Sequence, residues 1–303
     1  MALTAKSRAI VLHTTRQGDS SLVVHVLDAV AGRQGLYLRG LGKGRSGAAV
    51  AAFHPLSVLE VVTAASPRSS LLYLREYEPV FPLNNLRTDI RRSATAQFVC
   101  EVLWRTLRTG DGDPELFAWL VESVAALEAA EHVANFAAWW LVGFSARMGF
   151  KPEDNRSAEA PLFDIVSGRF QPRQDWIPAN SGLFASRGRK EPDGESALRK
   201  QDLRQAGIEE AGEVSPARRD SSRLLSRRSE HRAAVSSIQT FSLEESSLLH
   251  KLLTLPFEEA MALPLSATRR SAFSRRMLDY LSYHLGQSLD IRSLDVLHAV
   301  FAD

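Results

Sequence analysis

The chain has 303 residues, 45% hydrophobic and 24% charged, with a formal net charge of +2, which predicts a soluble globular protein large enough for two domains. Cys100 is its single cysteine, so disulfides and a thiolate zinc site within one chain are excluded, and we expect a buried, inert thiol. The N-terminus lacks the apolar run and cleavage site of a signal peptide, and no apolar window approaches a membrane span. We therefore expect a cytoplasmic protein without a membrane partner.

The charge is unevenly distributed along the chain. Residues 1–80 hold nine Lys or Arg against five Asp or Glu, whereas residues 81–160 hold eight against eleven. An anionic partner is therefore expected to meet the N-terminal part first.

Five short apolar runs between Ser7 and Glu78 predict five β-strands. They are rich in leucine and β-branched residues and are separated by turns, which favours a small closed barrel over helices. Five strands in about seventy residues is the size of an OB-type barrel, and the periodicity alone does not separate it from an SH3-like barrel. The predicted strands cover residues 9–13, 22–27, 36–38, 56–62 and 71–77.

The stretch 36–47, LYLRGLGKGRSG, leads the third predicted strand into a glycine-rich loop with Arg39, Lys43 and Arg45. Cations on such a flexible backbone can follow a sugar-phosphate chain, and a solvated hairpin tip is the alternative. Tyr37, beside Arg39, is a candidate stacking platform for a base or else a half-buried strand residue. Three further cations are candidates to extend the same phosphate track: Lys6, Arg8 and Arg33.

From residue 81 the periodicity becomes helical and predicts an α-helical domain over 81–303. Apolar residues recurring about every four positions predict one long helix over 84–109, capped by one of the two asparagines at its start. An Asp-Pro pair at 113–114 predicts the start of a second helix running to residue 129. A third helix, over 132–148, is rich in aromatic residues.

The later part of the chain is interrupted before helices return. Residues 151–185 are predicted to be irregular apart from a short hairpin that turns at Ser167-Gly168. Residues 186–237 carry mixed charge and no aromatic residue, which predicts a disordered or loosely helical insertion, with a second nucleic-acid arm as the alternative. Further helices are predicted over 241–254 with a Ser242/Glu245 capping box, over 257–261 and over 267–285, and a last helix is predicted to be capped by Ser293.

Arginines on the predicted helices are candidates for a second DNA contact. Arg91 and Arg92 lie on the first long helix, where Asp89 is placed to pair locally with Arg92, and Arg269 and Arg276 lie on the helix over 267–285. Solvated polar faces are the alternative for all four. The chain has no GxxxxGK[ST], HExxH, paired CxxC or GxSxG motif, and its histidines have no ligand spacing. We therefore expect a binding protein with no catalytic residues, no metal and no cofactor.

Three stretches resemble the RecO family of recombination mediators: KSRAIVLHTTRQGDSSLVVHVLDAVAGRQGLYLRG, PLNNLRTDIRRSATAQFVCEVL and MLDYLSYHLGQSLDIRSLDVLHAVF. The resemblance implies an OB fold followed by a helical bundle. It also implies binding to single- and double-stranded DNA, annealing of complementary strands, contacts with the single-strand DNA-binding protein and RecR, and help in loading RecA.

The chain departs from the family pattern at two places. Many members carry a four-cysteine zinc module after the third helix, but the corresponding residues 149–172 contain no cysteine, so zinc is not carried over. The basic loop after the third strand is also diluted by glycine.

These observations predict an α+β multi-domain protein with an OB-type DNA-binding domain over 1–80 and helices over 81–303. We expect a non-catalytic DNA-repair mediator whose barrel grips phosphates. The apolar grooves between the helices are expected to dock the acidic, apolar tail of a single-strand DNA-binding protein, an expectation based on the aromatic third helix and the flanking arginines. The alternative is a protein-only scaffold whose barrel docks a partner ring, with indirect DNA contact.

Overall fold

A computed structural model of the chain describes residues 4–18, 21–39, 52–65, 71–110, 112–172 and 240–302. Within these residues a β-barrel is followed by helices, so the predicted α+β class is confirmed. The predicted insertion over 186–237 lies outside the described residues.

The N-terminal part is a closed five-stranded barrel with strand order β1-β2-β3-β5-β4. All neighbours pair antiparallel except β3 and β5, which pair in parallel, and this arrangement confirms the OB-type barrel. Each of the five predicted strands is present. Their bounds are β1 (Thr4–Gln17), β2 (Ser21–Asp28), β3 (Gly32–Arg39), β4 (Val58–Ala64) and β5 (Leu72–Pro79).

Side chains alternate between the two faces of the strands and so contribute to two hydrophobic cores. Ala9 and Val11 of β1 point into the barrel, whereas Ile10 and Leu12 belong to the core formed with the helices. Because successive side chains leave a strand on opposite faces, one strand can line both cores. The barrel is therefore fixed directly on the helical part.

The remaining elements form a helical core with a small hairpin. Apart from the split of the first predicted helix, the predicted helices and the hairpin are present. Their bounds are α1 (Asn84–Thr88), α2 (Ile90–Thr106), α3 (Pro114–Ala129), α4 (Phe136–Arg147), β6 (Leu162–Asp164), β7 (Arg169–Gln171), α5 (Leu243–Thr254), α6 (Phe257–Met261), α7 (Ala267–Leu285) and α8 (Ser293–Val300).

The prediction of a single helix over 84–109 is wrong, because the helix is interrupted at Asp89. Asp89 has extended backbone angles (φ −93°, ψ 118°), and its carboxylate accepts a hydrogen bond from the Arg91 N–H at 2.8 Å. An aspartate competes for backbone donors in this way and so begins a new helix.

Carboxylates from distant helices cap α1 and α8 in place of the predicted local caps. Leu83, not an asparagine, precedes α1, and Glu128 accepts the N–H groups of Asn85 (2.7 Å) and Leu86 (2.8 Å). Ser293 is the first residue of α8 and does not cap it. Its N–H and hydroxyl both donate to Glu101, at 2.8 and 2.5 Å.

Two caps at the starts of α3 and α5 agree with the prediction. Asp113 accepts the N–H groups of the first turn of α3, with Pro114 as the first helical residue. Ser242 and Glu245 form the predicted capping box of α5. These signals are local in sequence, which is why the pattern alone found them.

The β6–β7 hairpin is fastened by an aromatic cluster at the place where the resemblance implied a zinc module. Phe163 is fully buried, and its ring lies 5.3 Å from Phe170, 5.2 Å from Phe241 and 5.5 Å from Tyr280, centroid to centroid. Its N–H donates to the Ser246 hydroxyl at 2.9 Å. Edge-to-face ring packing thus ties the hairpin to α5 and α7.

A membrane-crossing helix would need a long apolar stretch. Among the helices of the described residues, none is both long enough and apolar enough to cross a bilayer.

Candidate nucleic-acid interface

A pair of tyrosines and a pair of arginines form a compact patch on the outside of the barrel. The parallel register of β3 and β5 sets Tyr37 beside Tyr73, with ring centroids 5.9 Å apart. The Arg39 guanidinium lies 5.5 Å from the Tyr37 ring and 5.4 Å from the Tyr73 ring, and Arg75 lies 5.7 Å from Tyr73. We call these four residues the tyrosine–arginine patch.

The sequence explains why the patch forms. Both strands contain the tripeptide Tyr-Leu-Arg, at 37–39 and at 73–75. Strand alternation buries the central leucine and leaves the tyrosine and arginine outside. Tyr73 and Arg75 are absent from the sequence prediction, and the repeated tripeptide is the signal that identifies them.

The Tyr37 ring is held in place by its hydroxyl. This group donates to the Ser21 hydroxyl oxygen at 3.0 Å. The hydrogen bonds to Ser21 and Arg39 hold the pKa of Tyr37 below its usual value. The predicted loop cations Lys43 and Arg45 follow this patch in sequence and lie outside the described residues.

Lys6 and Arg8 lie on the β1–β4 seam of the barrel, away from the β3–β5 seam. Glu60 pairs with both, at 2.9 Å to Lys6 Nζ and 3.5 Å to Arg8 Nη2. The side chains of Lys6 and Arg8 remain 69% and 59% exposed. The hydrogen bond and the charge of Glu60 raise the pKa of Lys6, so this seam holds two accessible cations that share one carboxylate.

Arg33 joins the barrel to α2. Its Nη1 donates to the Trp104 carbonyl at 2.5 Å, and its guanidinium carbon lies 3.9 Å from the centroid of the Trp104 ring. Beside it the His13 and His25 rings stack at 4.2 Å, and Trp104 meets both edge-on. We call the adjoining cavity of about 260 Å³ the junction groove, lined by His25, Arg33, Gln34, Gly35, Leu71, Leu72, Trp104 and Thr109.

The stacked histidines predict a loss of stability in acid. Burial, and secondarily the charges of His25 and Arg33, lower the pKa of His13 from 6.5 to about 4, and burial also lowers the pKa of His25. The unfolded chain therefore binds protons first as the pH falls from 6.5 to 4. Lowering the pH from 7 to 5 should reduce the free energy of unfolding by on the order of 1 kcal/mol, after allowance for partial exposure.

Urea unfolding at pH 7 and pH 5 measures this effect. His13→Gln should show a smaller difference between the two pH values than the parent protein. His132→Gln, at an exposed position, is the matched control and should retain the full difference. Equal differences in all three proteins would contradict this role of the stacked pair.

The arginines of the helical part are engaged within the protein to different degrees. Arg92 is 13% exposed, pairs with Asp89 and donates to the Leu127 and Ala130 carbonyls. Arg276 is 19% exposed and lies between Glu245 and Asp279, at 3.8 and 3.7 Å.

Arg91 and Arg269 are the more accessible of these helical arginines. Arg91 is exposed and lies 5.8 Å from the Phe301 ring, and Arg269 pairs with Glu244 at 2.7 Å while remaining 53% exposed. The structure therefore does not bring the helical arginines together with the barrel patch.

The aromatic side chains of the third helix, α4, belong to the core. Phe136, Trp140 and Phe144 are at most 1% exposed, because they pack against neighbouring rings and helices. A groove of about 560 Å³ lies between α5 and α7. We call it the α5–α7 groove, and its lining includes Leu248, Lys251, Leu265, Arg269 and Phe273.

We searched the part of the chain that the structure describes for clustered metal ligands. No group of three or more His, Cys, Asp and Glu side chains able to hold a metal ion occurs there. Cys100 is 4% exposed, and burial raises the pKa of its thiol to about 12. As expected, this cysteine is a buried, unreactive core residue.

Comparison with known proteins identifies the family. The models for "Recombination protein O N terminal" and "Recombination protein O C terminal" match residues 1–83 and 87–198. The DNA repair protein RecO of Phocaeicola vulgatus is 30% identical over 166 residues, covering 54% of this chain and 69% of that protein. That of Flavobacterium psychrophilum is 22% identical over 298 residues, covering 98% of this chain and 99% of its own. The chain therefore belongs to the RecO family of DNA repair proteins.

Proposed function

We propose that this protein is a non-catalytic mediator of recombinational DNA repair that binds single- and double-stranded DNA through its barrel. It would anneal complementary strands and help to load a recombinase onto DNA coated with single-strand-binding protein. The tyrosine–arginine patch carries the proposal. Aromatic faces beside cations on an OB-type barrel are the combination that holds a single strand without reading its sequence.

The β3–β5 seam of the barrel would hold a single strand through both stacking and charge. Tyr37 and Tyr73 offer ring faces to bases, and Arg39 and Arg75 offer charge to the neighbouring phosphates. Stacking leaves the Watson–Crick edges of the bases free, so a complementary strand can still pair with the held strand. Double-stranded DNA would be held through its phosphates alone.

Lys6 and Arg8 extend the cationic track when a phosphate replaces Glu60 as their partner. The cations are already exposed, and exposed ion pairs of this kind are weak because solvent screens them. A phosphate group can therefore compete for them. Arg39 would supply the contact at the β3–β5 seam, and Lys43 and Arg45, which follow it in sequence, are candidates for the same track. Arg33, Arg92 and Arg276 are committed to contacts within the protein.

Removing the competing carboxylate tests this track. Glu60→Ala should raise the affinity for single-stranded DNA about two- to fivefold at low salt, because it frees two cations for phosphates. Fluorescence anisotropy of a labelled oligothymidylate measures the change. Glu153→Ala, which breaks the exposed Arg169 pair on the hairpin, is the matched control and should leave the affinity unchanged. Equal affinities for the Glu60 variant and the parent would remove Lys6 and Arg8 from the track.

We also propose that the α5–α7 groove receives the acidic, apolar tail of a single-strand DNA-binding protein. Leu248, Leu265 and Phe273 supply apolar walls, and Lys251 supplies a cation at the rim. Glu244 and Glu245 also line the groove, and Glu244 pairs with Arg269, so the acidic residues of the tail would meet Lys251 while its apolar end enters the groove. The family also supports a RecR-type partner, which we propose without placing its surface.

A charge reversal at the rim tests the tail proposal. Lys251→Glu should weaken binding of an acidic, apolar tail peptide about tenfold, because attraction becomes repulsion at an exposed rim. Isothermal titration with the full chain measures the affinity. Lys151→Glu, exposed on the segment after α4, is the matched control and should bind like the parent. Unchanged binding to the Lys251 variant would move the tail site elsewhere.

A further inference from the structure

We propose that the junction groove receives one unstacked nucleobase of the DNA strand held on the tyrosine–arginine patch. This inference rests on the proposed DNA-binding function and adds to it a specific subsite. The groove lies where the barrel meets α2, at the opposite end of β3 from Arg39.

A break in strand pairing opens the groove. One edge of β3 is bridged at Gly32 by Thr109, and the same edge pairs with β5 at Leu36 and Tyr37. Between these points, at Gln34 and Gly35, this edge of β3 has no strand partner among the described residues. Among the described residues, this edge of the sheet therefore has a notch two residues long at the position of the cavity.

The walls of the groove suit a flat, polar ring system. His25 and Trp104 supply ring surfaces, and the lowered pKa of His25 keeps its imidazole neutral near pH 7. A volume of about 260 Å³ is below the roughly 300–1,000 Å³ of sites for drug-sized molecules, so the groove fits a single ring system.

The groove is continuous with the patch that would hold the strand. Arg33, Gly35, Tyr37 and Arg39 leave β3 on its outer face, by strand alternation from the inward Leu36. Gly35 lies two residues, about 7 Å, from Tyr37 along the strand. A strand stacked on Tyr37 can therefore place a neighbouring base at the groove, whose wall at Gly35 is backbone that lies against the Leu71 side chain.

A fluorescent base tests the proposal in the full chain. An oligothymidylate carrying one 2-aminopurine should lose fluorescence on binding the parent protein, because the base stacks on ring surfaces. Gly35→Val narrows the groove, because its added Cβ would lie 2.4 Å from Leu71 Cδ2 and the flexible Leu71 side chain must shift within the groove wall. This variant should lose most of the quenching and about fivefold in affinity, with an unchanged salt dependence.

His25→Ala is the second variant and should show the same loss. His132→Ala, at an exposed position, should behave like the parent, and thermal unfolding monitors the folding of all three. Undiminished quenching in a folded Gly35→Val or His25→Ala protein would overturn the subsite while leaving DNA binding intact. Failure of the parent to bind the oligonucleotide would overturn the proposed function, and the subsite with it.

Discussion

Replacing Phe163 with alanine is expected to lower the free energy of unfolding by about 3–5 kcal/mol, the largest stability effect we predict. The side chain is fully buried, and three aromatic rings from the hairpin, α7 and the chain preceding α5 pack against it. Its loss leaves a cavity that this ring cluster cannot close, because the surrounding helices fix the ring positions.

Urea unfolding followed by circular dichroism measures the Phe163 effect. Val166→Ala is the matched control, because Val166 lies in the same hairpin but is 40% exposed. The control should change the free energy of unfolding by no more than about 0.5 kcal/mol. Similar values for the two variants would show that the aromatic cluster does not fasten the hairpin.

Removing both rings of the tyrosine–arginine patch is expected to have the largest effect on DNA binding. Stacking contributes about 1–3 kcal/mol per base, so Tyr37→Ala/Tyr73→Ala should weaken binding to single-stranded DNA at least tenfold. The salt dependence should stay the same, because every cation that meets a phosphate is still present. Anisotropy titrations of a labelled oligothymidylate at several salt concentrations measure both quantities.

The charge variant of the same patch separates stacking from phosphate binding. Arg39→Ala/Arg75→Ala should reduce the salt slope by about 1.4, or 0.7 for each phosphate that is no longer neutralised. The tyrosine variant should therefore lose affinity with an unchanged salt slope, whereas the arginine variant should show a reduced salt slope. A tyrosine variant with parental affinity would mean that the rings only pack against the barrel.

Local signals in the sequence predicted most of the fold. Alternating apolar residues identified the five strands, and the Ser242/Glu245 pair identified the start of α5. The split of the first helix at Asp89 was missed, because the apolar period continues across the break while the aspartate backbone leaves the helix.

Contacts between distant residues account for the remaining errors in the fold. Glu128 caps a helix that begins over forty residues earlier in the chain, and Glu101 caps one that begins at Ser293. A sequence window shows a carboxylate at each position but not the N–H groups that it will meet. Caps of this kind follow from packing and are not encoded in the local pattern.

Only part of the candidate site could be predicted from the sequence, because contacts between distant residues complete it. Tyr37 and Arg39 were found because they flank the glycine-rich loop, whereas Tyr73 and Arg75 join them only through the parallel β3–β5 register. Arg33 and Arg92 are candidate DNA contacts in the sequence, but each donates to a backbone carbonyl on a distant element. The sequence shows where a charge lies in the chain, and the fold determines its partner.

Binding of the full chain to a labelled oligothymidylate across a range of salt concentrations separates a DNA-binding barrel from a protein-only scaffold. The barrel cations Lys6, Arg8, Arg39 and Arg75 predict that the logarithm of the binding constant falls linearly with the logarithm of the salt concentration. These four cations give an expected slope of about −3, from 0.7 per neutralised phosphate, and contacts by Lys43 and Arg45 would make it steeper. Absence of affinity even at low salt would contradict DNA binding by the barrel and favour the scaffold.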